Sequence, residues 1–104
     1  MTPPELARRL QGPAAPHLLD VRETWEHELA ALPGSRLIPL GDLPERYEEL
    51  ADWRDTDVVV YCHHGVRSAQ AIGFLRGLGF TRLENLSGGI DRWSQEVDAQ
   101  TPRY

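Results

Sequence analysis

Residues 57–79, DVVVYCHHGVRSAQAIGFLRGLG, contain an apolar run, a short polar loop and an amphipathic segment in succession. The run VVVY is short and rich in β-branched side chains, which is typical of a central strand buried on both faces of a parallel sheet. Positions 68–78 carry apolar residues at helical spacing, with Ser68 as the predicted N-cap and Gly79 just past the end. The predicted strand and helix are therefore joined by residues 62–67 alone.

Cys62, the only cysteine of the chain, lies in this loop at the carboxyl end of the predicted strand. Open α/β sheets bind ligands at that edge. Backbone N–H groups of the loop, the positive end of the following helix and the guanidinium of Arg67 would together form a cradle for an anion. Such surroundings lower the pKa of a thiol from ~8.5 to ~3.5–7.5, so Cys62 is predicted to be a thiolate nucleophile. The alternative is that Cys62 is a small buried residue that extends the strand.

Several blocks of the sequence resemble the rhodanese family of sulfurtransferases. They are LLDVRE at residues 18–23, Ile38-Pro39, VVVYC with the loop CHHGVRS, Gly79-Phe80, and NLSGGIDRW at residues 85–93, in the order in which the family carries them. The resemblance covers about four fifths of the chain, and the combined pattern is specific. It implies a rhodanese-like α/β fold, a central parallel sheet of roughly four to five strands flanked by helices on both faces. Residues 1–104 are expected to form a single such domain.

The resemblance also implies a chemistry, in which Cys62 carries a persulfide between a sulfur donor and a sulfur acceptor. The donor would be thiosulfate or another persulfide, as in a thiosulfate sulfurtransferase, and the acceptor would be cyanide, a small thiol or a protein thiol. This double displacement is covalent catalysis by the protein itself and calls for no cofactor. Backbone N–H groups would hold the persulfide anion. The expected substrate-binding residues are His63, His64, Gly65, Val66, Arg67 and Ser68.

Three further residues are expected near the loop. Asp20 and Arg22 follow a predicted buried strand, and the resemblance gives both a supporting role in the site. For Asp20 the alternative is a cap on a helix over residues 23–29, and for Arg22 it is a surface salt bridge. Trp93 would line the pocket by its position in the family, although core packing explains it equally well.

The rest of the chain is predicted to complete the sheet and its helices. Thr2 would cap a first helix that ends near residues 11–12, so the short strand that family members usually place before this helix is a stub or missing. The other predicted elements are strands at residues 17–21, 36–38 and 80–86, an acidic amphipathic helix at residues 42–52 and a last helix at residues 90–97. Residues 98–104 are expected to be irregular, with Tyr104 packing on the surface.

Two glycines precede the last predicted helix. Gly88 and Gly89 would allow the backbone to pass close to the cysteine loop, because a residue without a side chain permits a tight approach. A plain turn is the alternative.

Composition and charge exclude several classes of function. The net charge of −5 and the pI near 5.3 argue against general nucleic-acid binding. No membrane segment or apolar leader is recognised, and a single cysteine excludes an internal disulfide and fits a reducing, cytoplasmic compartment. His63 and His64 beside one cysteine do not supply the ligands of a zinc site, so no metal is expected. Protonated, the two histidines would instead add positive charge at the pocket mouth.

Two other functions remain open from the sequence alone. Cysteine-based phosphatases and arsenate reductases of the same fold use a similar cradle, but they place one residue more between cysteine and arginine than the four found between Cys62 and Arg67. The shorter loop favours a single sulfur atom over a tetrahedral oxyanion. The other alternative is a non-catalytic module that recruits proteins in a sulfur relay, which the presence of both Cys62 and Arg67 disfavours.

Overall fold

The computed structural model describes residues 1–104 and shows a four-stranded parallel sheet with helices on both faces. The strands are β1 (His17–Asp20), β2 (Arg36–Leu37), β3 (Val58–Tyr61) and β4 (Leu83–Asn85), in the spatial order β2-β1-β3-β4. The helices are α1 (Pro3–Leu10), α2 (Thr24–Leu29), α3 (Leu43–Arg46), α4 (Val66–Arg76) and α5 (Gly89–Glu96), and 3₁₀ segments at Leu40–Asp42 and Tyr47–Trp53 flank α3. The predicted fold class is confirmed. No helix has both the length and the apolar character needed to cross a membrane.

Strand β3 is the centre of the sheet and is buried throughout, as its apolar sequence predicts. Successive side chains of a strand point to opposite faces. Val58 and Val60 accordingly belong to one hydrophobic cluster, whereas Val59 and Tyr61 belong to another. The two clusters are the two cores of the protein.

The helices divide between these two cores. Leu43 and Leu50, from the segment around α3, pack on one face of the sheet together with Leu75 of α4. On the other face lie Leu6 of α1 and Ile90 of α5. Burying the apolar stripe of each helix against the sheet supplies most of the stabilising free energy of such a layered domain.

Two of the predicted helices, the acidic helix and the one after Cys62, need correction. The acidic segment is not one helix, because Tyr47, Leu50 and Trp53 are spaced by three residues, a repeat that a 3₁₀ helix places on one face. All three belong to or pack against the core that contains Val58 and Val60. Helix α4 begins at Val66 and not at Ser68, because Gly65, with φ of 115°, makes the turn that starts it. The other end of α4 is at Arg76.

The first helix is capped as predicted, since Thr2 Oγ1 accepts a hydrogen bond from the N–H of Glu5. Residues 1 and 2, where the preceding strand was expected to be a stub or missing, form no strand of the sheet. Met1 donates its amino group to the carbonyl oxygen of Asn85, and its own carbonyl accepts from the N–H of Ser87. These two bonds follow the pattern of parallel strand pairing and hold Met1 beside β4.

The register of the sheet decides where the site lies. Asp20, the last residue of β1, pairs with Tyr61, and Asn85 of β4 pairs with Val60. All three strands run in the same direction, so Asp20, Cys62 and Asn85 come to the same carboxyl edge.

Candidate active site

The Cys62 loop is a tight turn between β3 and α4. Cys62 is 1% exposed, and its sulfur accepts hydrogen bonds from the N–H of Gly65 at 3.0 Å and the N–H of Ser68 at 3.4 Å. The Ser68 hydroxyl oxygen is 3.3 Å from the same sulfur. Ser68 is therefore not the helix cap that the sequence predicts. It lies in the first turn of α4, where both its backbone and its hydroxyl face the sulfur.

These contacts favour the ionised form of the cysteine. Burial by itself raises the pKa of the Cys62 thiol, but hydrogen bonds from Ser68, Gly65 and His64 outweigh it and hold the pKa below its ordinary value. A cysteine that merely extended the strand would keep the effect of burial alone. The geometry is thus that of an activated thiol and not of an inert core residue.

Asn85 holds the loop from the side of β4. Its Oδ1 accepts a hydrogen bond from the Ser68 hydroxyl at 2.6 Å, and its Nδ2 donates to the carbonyl oxygen of Gly65 at 3.0 Å. One side chain therefore fixes both ends of the turn around the sulfur. Asn85 is not among the site residues predicted from the sequence, although it ends the strand next to β3 and so lies at the same edge.

The start of α5 is hydrogen-bonded to the backbone of the Cys62 loop. The N–H of Ile90 donates to the carbonyl oxygen of Cys62 at 2.9 Å, and the N–H of Asp91 donates to that of His63 at 3.2 Å. Gly89, with φ of 63°, lies so close that an added Cβ would be 2.3 Å from the His63 oxygen. The predicted close approach of this glycine pair to the loop is confirmed.

Arg67 forms an ion pair with Glu26. Its Nη1 and Nη2 donate to Oε1 and Oε2 of Glu26 at 2.6 and 2.9 Å, a two-point contact in which only 4% of the Glu26 side chain is exposed. The hydrogen bonds from Arg67 are the largest influence on Glu26 and lower its pKa to about 2. The same bonds raise the pKa of Arg67 above its ordinary value. Arg67 thus anchors the loop to α2.

Tyr104 covers this ion pair and was not expected there. Its hydroxyl donates to Oε2 of Glu26 at 2.6 Å and accepts from Nη1 of Arg22 at 2.9 Å. Its ring stacks on that of His63, with centroids 4.0 Å apart and planes 10° from parallel, and His63 stacks in turn on His64. Tyr104 therefore links the cysteine loop to the region after β1.

Asp20 and Arg22 form a fully buried ion pair behind this link. Oδ1 of Asp20 accepts from the N–H and Nε of Arg22 at 3.0 and 2.8 Å, and Oδ2 accepts from Nη2 at 2.7 Å. Arg22 is hence not a surface salt-bridge residue. Asp20 is not a helix cap either, because Glu23 caps α2 through a reciprocal pair of bonds with Glu26. The pair is connected to the Cys62 loop by Tyr104, which is hydrogen-bonded to Arg22 and stacked on His63.

Trp93 and the two histidines complete the predicted set. Trp93 is 6% exposed and packs in the second core with Leu6 and Ile90, which favours the packing interpretation over that of a pocket wall. Burial and the neighbouring His64 lower the pKa of His63, so His63 is largely neutral at pH 7. No group of three or more His, Cys, Asp or Glu side chains lies close enough together to ligate a metal ion.

The protein is of the α/β class, with a parallel sheet and a single cysteine in a tight loop at the carboxyl edge of that sheet. Comparison with known proteins identifies its family. The family model of the rhodanese-like domain matches residues 2–96. A sulfurtransferase of Allochromatium vinosum is 36% identical over 90 residues, which make up 86% of this chain and 82% of that protein. The chain belongs to the rhodanese-like domain family.

Two further comparisons show the range of proteins that carry this domain. The crystal structure of a rhodanese-related protein from Thermoplasma volcanium has a TM-score of 0.83 and 34% identity, and the match covers 93% of this chain and 91% of that one. The chloroplastic rhodanese-like/PpiC domain-containing protein 12 of Arabidopsis thaliana is 36% identical over 96% of this chain, which spans only 35% of that protein's length.

Proposed function

We propose that the protein is a sulfurtransferase that carries sulfane sulfur on Cys62 as a persulfide. The observation that carries the proposal is the set of N–H groups from Gly65 and Ser68 aimed at the Cys62 sulfur. These donors stabilise a thiolate before the reaction and suit a terminal sulfur anion after it. Membership of the rhodanese-like family and similarity to a sulfurtransferase support the same chemistry.

The first half-reaction loads the cysteine. With thiosulfate, the Cys62 thiolate attacks the outer sulfur, a new S–S bond forms, the bond to the sulfonate sulfur breaks and sulfite leaves with the electron pair. With a persulfide donor, the thiolate attacks the outer sulfur and the donor's inner sulfur leaves as a thiolate. In both cases Cys62 ends as Cys–S–S⁻ or its protonated form, and no outside oxidant or reductant is consumed.

The second half-reaction unloads it. A nucleophilic acceptor attacks the outer sulfur of the persulfide, and the Cys62 thiolate is the leaving group. Cyanide yields thiocyanate, whereas a small thiol or a protein thiol yields a new persulfide. A low pKa of Cys62 helps this step as well as the first, because a stabilised thiolate leaves more readily.

The test is the mass of the intact protein after incubation with thiosulfate or with a small persulfide. We expect the addition of one sulfur atom, which cyanide or a reductant removes, and no addition in the Cys62→Ala variant. An adduct that survives in Cys62→Ala would overturn the proposal. So would the absence of any adduct from both donors in a protein whose circular dichroism is that of the folded state.

A further inference from the structure

The charges around the mouth of the Cys62 loop cancel in pairs. Each arginine there is bound to a carboxylate within 2.9 Å: the pairs are Arg67 with Glu26, Arg22 with Asp20, and Arg103 with Asp91. The side chains of Asp20 and Arg22 are fully buried and that of Glu26 nearly so. No arginine at the mouth is left with an uncompensated positive charge.

Glu26 is fixed in place by four hydrogen bonds. Oε1 accepts from Arg67 and from the N–H of Glu23, and Oε2 accepts from Arg67 and from the Tyr104 hydroxyl. With its pKa near 2, the carboxylate is ionised throughout the physiological range. It cannot swing away to free Arg67 without breaking this whole set of bonds.

The two histidines do not restore a positive charge. His63 has a lowered pKa and lies between two other rings. Nδ1 of His64 is 3.9 Å from Oδ2 of Asp91, so any positive charge on His64 faces a carboxylate. The three arginines and the three carboxylates paired with them therefore sum to no net charge.

The rim beyond Arg67 is apolar and aromatic. Trp25 is 60% exposed and meets the Tyr104 ring edge-on at 5.8 Å, and Val66 at the start of α4 is 70% exposed. The part of a donor that extends out of the loop would meet these side chains. They suit an organic group better than a strongly hydrated oxyanion.

We infer that Glu26 is a specificity-determining residue, which neutralises Arg67 and so sets the site to take singly charged organic persulfides in preference to dianionic thiosulfate. The inference rests on the proposed function. A persulfide brings to the loop only the one charge that the N–H groups of Gly65 and Ser68 can hold. Thiosulfate brings a second charge on its sulfonate group, for which the mouth offers no free cation. The free-energy cost of desolvating that group is therefore not offset by an ion pair.

The test compares kcat/KM for thiosulfate and for 2-hydroxyethyl persulfide, a donor with an uncharged organic group. In Glu26→Gln the carboxamide keeps an acceptor for Arg67 and the size of the side chain, but Arg67 is no longer neutralised. We expect kcat/KM for thiosulfate to rise by about tenfold, equivalent to ~1.4 kcal/mol, mainly through KM. The value for the persulfide should change by less than about threefold.

The matched control is Glu49→Gln, which removes one negative charge from an exposed carboxylate paired with Arg36 and Arg46. It should leave the ratio of the two donors unchanged. In Glu26→Gln, added salt should lower kcat/KM for thiosulfate more steeply than in the wild type, because a free cation is screened by salt. A purely structural role for Glu26 would not produce that salt dependence.

Several outcomes would overturn the inference. They are an equal change for both donors in Glu26→Gln, a fall for thiosulfate, or the same shift in the Glu49→Gln control. If Glu26→Gln does not fold, the test uses Tyr104→Phe, which keeps the ring stack but loses one of the hydrogen bonds that hold Glu26. The ratio of kcat/KM for thiosulfate to that for the persulfide should then shift in the same direction by about twofold. An unchanged ratio in Tyr104→Phe contradicts the inference. Failure of both donors to form a Cys62 persulfide would instead refute the proposed function itself.

Discussion

The backbone of Gly89 lies against the carbonyl group of His63, so that a Cβ on Gly89 would stand 2.3 Å from the oxygen and 2.5 Å from the carbon. Real Cβ atoms do not approach a backbone so closely. The helix that begins at Gly89 donates N–H groups to the loop carbonyls, as those of Ile90 and Asp91 show. The shape of the Cys62 loop therefore depends on a residue of another element that has no side chain.

Replacement of Gly89 by alanine should damage both stability and site. We expect Gly89→Ala to lose about 3 kcal/mol of unfolding free energy, since the backbone must move and φ of 63° is unfavourable for alanine. Gly73→Ala is the control, because Gly73 lies within α4 with nothing within 4 Å of its Cβ position. It should gain about 0.5–1 kcal/mol. Denaturant titration measures both, and equal effects would contradict this account.

The hydroxyl of Ser68 should lower the pKa of Cys62. In Ser68→Ala the midpoint of iodoacetamide alkylation should rise, because the hydroxyl that can turn from Asn85 Oδ1 to hydrogen-bond the thiolate is lost. In the wild type that midpoint should lie below ~8.5. Ser94→Ala, which removes a buried hydroxyl in α5, should leave it unchanged. A wild-type midpoint near ~8.5 would show that the loop does not activate the cysteine.

The Glu26–Arg67 pair should make stability depend on pH in acid. The pKa of Glu26 is 4.5 in its ordinary state and about 2 when folded, so the unfolded chain binds the proton more tightly. This contribution, about 3 kcal/mol, is present above the ordinary pKa and is lost as pH falls from about 4.5 towards 2. Denaturant titrations of the wild type and Glu26→Gln between about pH 3 and pH 6 measure it. Parallel pH profiles for the two proteins would contradict the assignment.

Hydrolysis of an aryl phosphate should be absent. Only four residues separate Cys62 from Arg67, and Arg67 is already bound to Glu26 at both of its terminal nitrogens. A phosphate group would therefore find neither the room nor the free guanidinium that it needs. The release of p-nitrophenol from p-nitrophenyl phosphate is the measurement. Turnover that disappears in Cys62→Ala would reverse the order in which we rank transferase and phosphatase.

Sulfur transfer should follow ping-pong kinetics. Because Cys62 is the only cysteine, its persulfide cannot be resolved as an internal disulfide and must wait for an outside acceptor. Double-reciprocal plots at several fixed cyanide concentrations should give parallel lines, and the loaded protein should outlast a small-molecule persulfide when no acceptor is present. Intersecting lines would indicate that donor and acceptor bind together.

The parts of the site that the sequence predicts are those encoded by neighbouring residues. An apolar β-branched run followed at once by Cys62, and by Gly65 where the chain turns, identifies the central strand and the loop that carries Cys62. The short distance along the chain leaves few other conformations. The position of Asn85 at the site could also have been predicted from the sequence, because the carboxyl ends of neighbouring parallel strands share an edge.

The parts that the sequence does not reveal are long-range contacts of ordinary residues. Glu26 meets Arg67, 41 residues away, and Tyr104, 78 residues away. An acid on a short helix normally faces solvent, and no local pattern marks this one as buried. For Ser68 a local preference gave a wrong prediction. Serine favours helix caps, but here its contacts with Cys62 and Asn85 place it inside the first turn of the helix.

Tyr104 is the last residue of the site to be synthesised. Strands β1 and β3, Glu26 and Arg67 all leave the ribosome before it. Until residue 104 has cleared the exit tunnel, the nascent chain carries a His63 ring without its stacking partner and a Glu26 carboxylate that lacks one of its hydrogen bonds. Cys62 is thus made early, whereas its surroundings reach their final form only when translation has passed the whole sheet.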